Sequence, residues 1–254
     1  MENILTVIIL AILGLGIGSF LNCFAFRLDE IETIWKGRSH CPKCRHTLAW
    51  YDLIPLLSYV YLKAKCRYCR QKISLIYPFS EILTATVLIL LYLKFGITIS
   101  FAFYALANFI LIIILLHDLL TLTIADFLVY IVFVLLIIVP LINISPVTSL
   151  IDRFEGAVIV AAIPAFLVLI SKEKWMGRGD IQVAILVGLM TGLQLSFIAL
   201  FFTFILGGIV AIILLSSRLA KLKDKVAFAP LLIAGGWIAL FWGERIVNWY
   251  LGIV

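Results

Sequence analysis

The chain has 254 residues, of which 64% are hydrophobic and 13% charged, with a formal net charge of +6. A water-soluble domain carries about a quarter charged residues, so an ordinary globular protein is excluded and a membrane protein is indicated. Membrane topology accounts for the positive charge, as shown below, and nucleic-acid binding is not needed to explain it.

A spanning helix needs roughly 20 largely apolar residues. The first uncharged run, Asn3 to Phe26, has no small-residue cleavage site after a short apolar core, so it reads as a retained helix rather than a removed signal. Cys23 within it reads as a small packing residue.

The one sizeable polar segment follows, from Arg27 to about Tyr77. It carries Cys41-Pro-Lys-Cys44 and Cys66-Arg-Tyr-Cys69, two C-x-x-C pairs separated by 21 residues. Four thiolates so spaced can close a tetrahedral Zn²⁺ shell. A metal would help a segment of this size, which buries little apolar surface, to fold. Two disulfides are the competing reading and are disfavoured in a reducing cytoplasm. His40 and His46 flank the first pair, but four cysteines make a histidine ligand unnecessary.

The later runs are Ile82–Leu93 (short unless it extends back through Glu81 to about Pro78), Phe95–His117, Phe127–Ile151, Gly156–Ser171, Ile181–Ser217 and Val226–Gly243. Ile181–Ser217 has 37 residues and a polar break at Thr191-Gly192-Leu193-Gln194, which predicts two spans joined by a tight turn. The expected fold is an all-α polytopic membrane protein of about eight transmembrane helices, with a zinc-ribbon-like insert between the first two. Expected boundaries are 1–26 for the first helix, 27–77 for a cytoplasmic zinc-binding domain with four cysteine ligands, and 78–254 for a seven-helix membrane domain.

Lys and Arg orient these spans. Ten of the 20 lie between Arg27 and Lys72, three between Lys172 and Arg178, and four between Arg218 and Lys225. Eight spans put all seventeen on one side, which the positive-inside rule makes cytoplasmic. Both termini then face outward, while Asp118 and Asp180 face the cytoplasm.

These two aspartates are the candidates for chemistry. Asp180 closes Gly177-Arg-Gly179-Asp180 at the lip of an apolar run. Glycines that shape a turn and an Asp that caps a helix explain it structurally, but an ionisable group at a membrane boundary tends to mark function. Asp118 ends another apolar run, and Asp126 competes with it as partner. Glu81 is a third candidate, for a different function. Two carboxylates meeting at a membrane surface are what an aspartic protease requires. A nucleophile elbow, an H-E-x-x-H helix and a P-loop are absent, and His117 shows no ligand spacing with the other histidines. Rivals from other classes are a proton- or cation-coupled transporter using Asp118, Asp126 and Asp180, and a zinc-bearing membrane scaffold.

Together the motifs resemble the bacterial type IV prepilin peptidases, membrane aspartic proteases of the Gly-x-Gly-Asp group. Gly18-Ser-Phe-Leu-Asn22 with Arg27-Leu28 is similar to their N-terminal signature. Ser39 to Cys44, Leu48 to Ser58, Lys65 to Cys69 and Ile73 to Pro78 with Glu81 resemble their cytoplasmic domain. Gly177 to Asp180 resembles the second catalytic motif, and Ala227-Phe-Ala-Pro230 a segment near the last span. The cysteine pairs and the N-terminal signature set the chain apart from presenilin-type proteases. The resemblance implies Asp118 and Asp180 as catalytic pair, prepilin or pseudopilin precursors as substrates in the bilayer, and cleavage after glycine on the cytoplasmic side. It also implies N-methylation with S-adenosylmethionine. The chain departs from the family pattern at Ala125, Leu120 and Ala64, where proline, an acidic residue and glycine are common.

Overall fold

The computed structural model describes residues 2–28, 39–142, 150–218 and 226–252. Lys36, Arg38 and most of the basic stretch 218–225 lie outside the described residues. Two compact units, Met1–Ile97 and Thr98–Val254, make up the chain.

The N-terminal unit pairs α1 (Glu2–Phe26) with α3 (Ile76–Phe95). α3 begins at Ile76, so Glu81 lies within its second turn and the span is full length. Small residues bring the two helices together: a Cβ on Gly14 would fall 2.5 Å from Ala85 Cα, and one on Gly18 2.7 Å from Glu81 Cα. The insert between them holds a 3-10 turn (Trp50–Leu53), the short α2 (Leu57–Tyr61), and two isolated antiparallel bridges, His40 with Thr47 and Lys65 with Lys72. Both cysteine pairs form the same knuckle. The Cys41 N–H donates to His46 O and the Arg45 N–H to Cys41 O, as the Cys66 N–H does to Gln71 O and the Arg70 N–H to Cys66 O. Arg45 and Arg70 each take φ 57°, the left-handed residue that closes the turn.

The C-terminal unit comprises α4 (Ile99–Thr121), α5 (Asp126–Ile142), α6 (Leu150–Ser171), α7 (Arg178–Ser216) and α8 (Ala229–Tyr250). The 39 residues of α7 would reach about 58 Å if straight, nearly twice the roughly 30 Å hydrocarbon core. Gly192 resolves this with φ 76° and ψ 178°, a conformation open to glycine, which breaks the helix into two arms. Contacts with α8 show that the arms reverse direction. Gly236 meets Val187 and Met190 of the first arm, and Asp180, at that arm's start, lies at Ala229. Gly207 meets Phe228 and Leu231, Gly235 meets Thr203, and Gly243 meets Leu195. The first arm therefore runs parallel to α8 and the second antiparallel, as the predicted turn at Thr191–Gln194 requires. With α7 counted as two, the described residues contain eight apolar helical segments besides α2.

Two buried polar pairings tie the helices of this unit together. Buried Arg153 donates to Leu189 O and Tyr104 Oη, each at 2.8 Å, tying α6 to the C-terminal end of the first arm and to α4. Trp237 Nε1 donates to Asn108 Oδ1 at 2.6 Å, tying α8 to α4. The approach of α6 to the first arm depends on Gly188, where a Cβ would lie 2.4 Å from Ala157 Cα and 2.4 Å from Gly156 O. Those neighbours are backbone and cannot swing aside. Gly188→Ala is expected to cost about 1–3 kcal/mol, seen as a lower thermal midpoint in detergent. Gly208→Ala, with open space around it, should leave the midpoint unchanged or raise it.

Candidate active site

Asp118 lies in the last full turn of α4 and is 5% exposed, against 8% for Asp180 in the first turn of α7. Both line one cavity of about 410 Å³, together with Asp126, Trp175, Gly179 and Phe228. α4 stops just past Asp118 because Leu122 turns left-handed (φ 57°, ψ 31°), and the Leu122 N–H closes the end on Asp118 O at 2.9 Å. His117 pins the following turn: its Nδ1 lies 2.9 Å from Thr123 O, and Thr121 Oγ1 is 2.7 Å from Thr123 Oγ1.

On the α7 side, Asp180 Oδ2 accepts the Gly177 N–H at 3.1 Å, a carboxylate reaching back to the N-terminal end of its own helix. The two glycines of the motif do different work. A Cβ at Gly179 would fall 2.8 Å from Ile124 Cδ1, so its absence lets the 122–125 turn lie against the start of α7. Gly177 supplies its N–H, and a Cβ there would meet only Asp180 Oδ2, at 3.8 Å.

The two carboxylates converge on a third element. The start of α8 adjoins both carboxylates, and the Ala229 N–H in its first turn acts electrostatically on Asp118 and on Asp180. An α-helix leaves its first N–H groups without intrahelical partners, and here one of them acts on an acid pair. Asp118 Oδ2 remains buried without a partner. Asp126 faces the same cavity but is exposed, at the first position of α5. A backbone group acting on both acids has no signature in sequence spacing; only the Ala227–Pro230 segment marks its neighbourhood.

In the insert, the Sγ atoms of Cys41, Cys44, Cys66 and Cys69 lie within 4.8 Å of one another and could hold a metal ion. Cys41 Sγ and Cys69 Sγ are 3.8 Å apart. Four thiolates about 2.3 Å from a tetrahedral ion have edges close to that length, so the donor set fits. His40 and His46 are not part of the cluster, and His46 instead packs on Tyr68 with ring centroids 3.7 Å apart. Asp52 joins the segment after the first knuckle to the second: it accepts from Arg67 Nε at 2.7 Å, Tyr68 Oη at 3.2 Å and the Ala49 N–H at 3.3 Å.

Comparison with known proteins agrees with this division. Residues 12–95 match the family model described as the Bacterial Peptidase A24 N-terminal domain, and residues 105–212 that of the Type IV leader peptidase family. The prepilin leader peptidase/N-methyltransferase of Bacillus subtilis is 32% identical over 247 residues, covering 96% of this chain and 97% of its own. The proteins of that name from Aeromonas salmonicida and Pseudomonas aeruginosa are each 29% identical, covering 95% and 94% of this chain and 92% and 91% of their own. No solved structure matches the chain.

Burial pushes the Asp52 carboxyl up, but the hydrogen bond from Arg67, with those from Ala49 and Tyr68, outweighs it and holds the group below the usual carboxylate range. A carboxylate more acidic in the fold than in the unfolded chain stabilises the fold above the unfolded value, about 3.9, and ceases to do so as pH falls through the folded value. Asp52→Asn should therefore speed hydrogen exchange across residues 50–68 at neutral pH. The difference from the unaltered chain should close progressively once pH drops below about 4.

Proposed function

Because the chain belongs to the type IV leader peptidase family, we propose that it is a membrane aspartic endopeptidase with Asp118 and Asp180 as its catalytic pair. Its substrates on this reading are type IV prepilins or pseudopilins, whose basic leader is cut after glycine on the cytoplasmic side. The observation that carries the proposal is two buried carboxylates, brought from the end of α4 and the start of α7 onto one cavity. Asp126, on the same cavity, is solvated and stands outside that convergence.

Two carboxyls facing one cavity can work as a pair with one proton between them. The ionised member takes a proton from water as the water attacks the scissile carbonyl, and the protonated member donates to the carbonyl oxygen. The Ala229 N–H steadies whichever carboxyl is charged. No covalent intermediate is formed. A transporter would place its ionisable groups near mid-membrane. Here they stand at helix ends, beside Lys174 and Arg178, which line the same cavity. By the positive-inside rule that basic loop faces the cytoplasm, and with eight spans both termini face outward.

The insert takes zinc as a structural ion, which supplies folding free energy to a segment with few buried apolar residues. The names of the relatives support a second activity for this chain, N-methylation of the new amino terminus from S-adenosylmethionine.

With purified protein and a basic-leader precursor, Asp118→Asn and Asp180→Asn should each slow cleavage by roughly 10²–10⁴-fold. Asp126→Asn should cleave at close to the normal rate. Loss of cleavage in Asp126→Asn with Asp118→Asn still active would transfer the first role to Asp126. Metal analysis should find one zinc per chain, and Cys66→Ser should lose it and open the insert to limited proteolysis.

A further inference from the structure

The face that α1 turns toward α3 carries polar groups that peptide hydrolysis does not use. Gly18 packs on Glu81 and Ser80, and Phe26 stacks on Tyr77 with centroids 5.3 Å apart. Asn22 is one helical turn beyond Gly18 and one before Phe26, so it faces the part of α3 between Tyr77 and Glu81. It is 0% exposed, and neither its amide nitrogen nor its amide oxygen has a hydrogen-bond partner. A buried amide unpaired at both ends requires an explanation, and helix packing offers none.

Glu81, on that facing stretch of α3, is 6% exposed. Its Oε2 accepts the Leu56 N–H at 2.8 Å, and the Ser19 hydroxyl, next to Gly18 on α1, acts on the same carboxylate. Leu56 holds that N–H in place from φ 57° and ψ −47°, a region an L-residue avoids. A clip joining the insert to α3 accounts for the bond to Leu56. It does not account for Asn22, or for a carboxylate where a neutral acceptor would serve.

An amide oxygen, a hydroxyl and a carboxylate on one small face together match a primary ammonium, which has three N–H donors and one positive charge. We propose that Asn22, Ser19 and Glu81 bind the α-amine to be methylated, and that Glu81 is its general base. The proposal rests on the methyl-transfer activity inferred above. The ammonium gives a proton to the Glu81 carboxylate, and the freed nitrogen lone pair attacks the methyl of a sulfonium donor. The N–C bond forms as the S–C bond breaks, with its electron pair returning to sulfur. A secondary ammonium and a neutral thioether result, and Glu81 releases its proton to water.

The test uses the full chain in detergent, with methyl-labelled S-adenosylmethionine and either uncut precursor or purified, already cleaved pilin. In Glu81→Gln, which keeps an oxygen for the Leu56 N–H, methyl transfer to cleaved pilin should fall by roughly 10²–10⁴-fold while precursor cleavage persists. Raising pH above about 8, where an α-amine loses its proton unaided, should restore part of that loss, which a merely structural defect would not allow. Asn22→Ala should raise KM for the amine more than it lowers kcat. Unchanged transfer in Glu81→Gln, or parallel loss of transfer and cleavage, overturns the proposal alone. Failure of the unaltered chain to transfer methyl at all overturns the methyl-transfer reading and this proposal with it.

Discussion

A carboxylate beside hydrocarbon must be met by protein groups, because the water that would otherwise solvate it is scarce. The C-terminal unit meets two of them with the least material available, namely the unused N–H groups of helix starts. Asp180 takes one from Gly177 at the head of its own helix, and the first of α8, from Ala229, acts on both acids. No lysine or arginine is needed to neutralise the pair, and a strong ion pair would hold both acids permanently charged. A backbone donor tolerates either protonation state, as the proposed proton-sharing pair requires.

That convergence depends on close helix packing elsewhere in the unit. α8 can present Ala229 at the pair because its glycines admit the neighbouring helix: a Cβ on Gly235 would crowd Thr203 and Ala199, and one on Gly236 would crowd Val187. The first arm of α7 is held by Gly188 against Ala157 and by Arg153 on the Leu189 carbonyl. Within a bilayer, apolar side chains gain little by leaving lipid for one another, so small residues and buried polar bonds carry the association. The reversal at Gly192 gives Asp180 a helix of its own to cap, and the returning arm then lies along α8.

The N-terminal unit uses polar groups in another way. Its insert has little core, and its order comes from two identical knuckles, a four-cysteine cluster and the carboxylate of Asp52 between them. Its helix pair keeps a carboxylate and an amide away from solvent, with the amide unpaired. The division matches the two family regions, 12–95 and 105–212.

Much of this was legible in the sequence because membranes make composition decisive. Apolar runs marked the spans, the polar break at Thr191–Gln194 marked the hairpin, and the spacing of Cys41, Cys44, Cys66 and Cys69 marked the cluster. Each is a local property of the chain, set by helix length, glycine conformation or ligand spacing. The sequence also picked out Asp118, Asp126, Asp180 and Glu81 as acids at the margins of apolar runs, without ranking Asp118 and Asp126 decisively by spacing. What separates those two is burial beside the start of α8, which arises only when α4, α7 and α8 pack together. The unpaired amide of Asn22 was equally invisible, because whether a polar group is satisfied depends on neighbours distant in the chain. Local chemistry wrote the elements; the contacts between them decided which acids are buried together on one cavity and which stands in water.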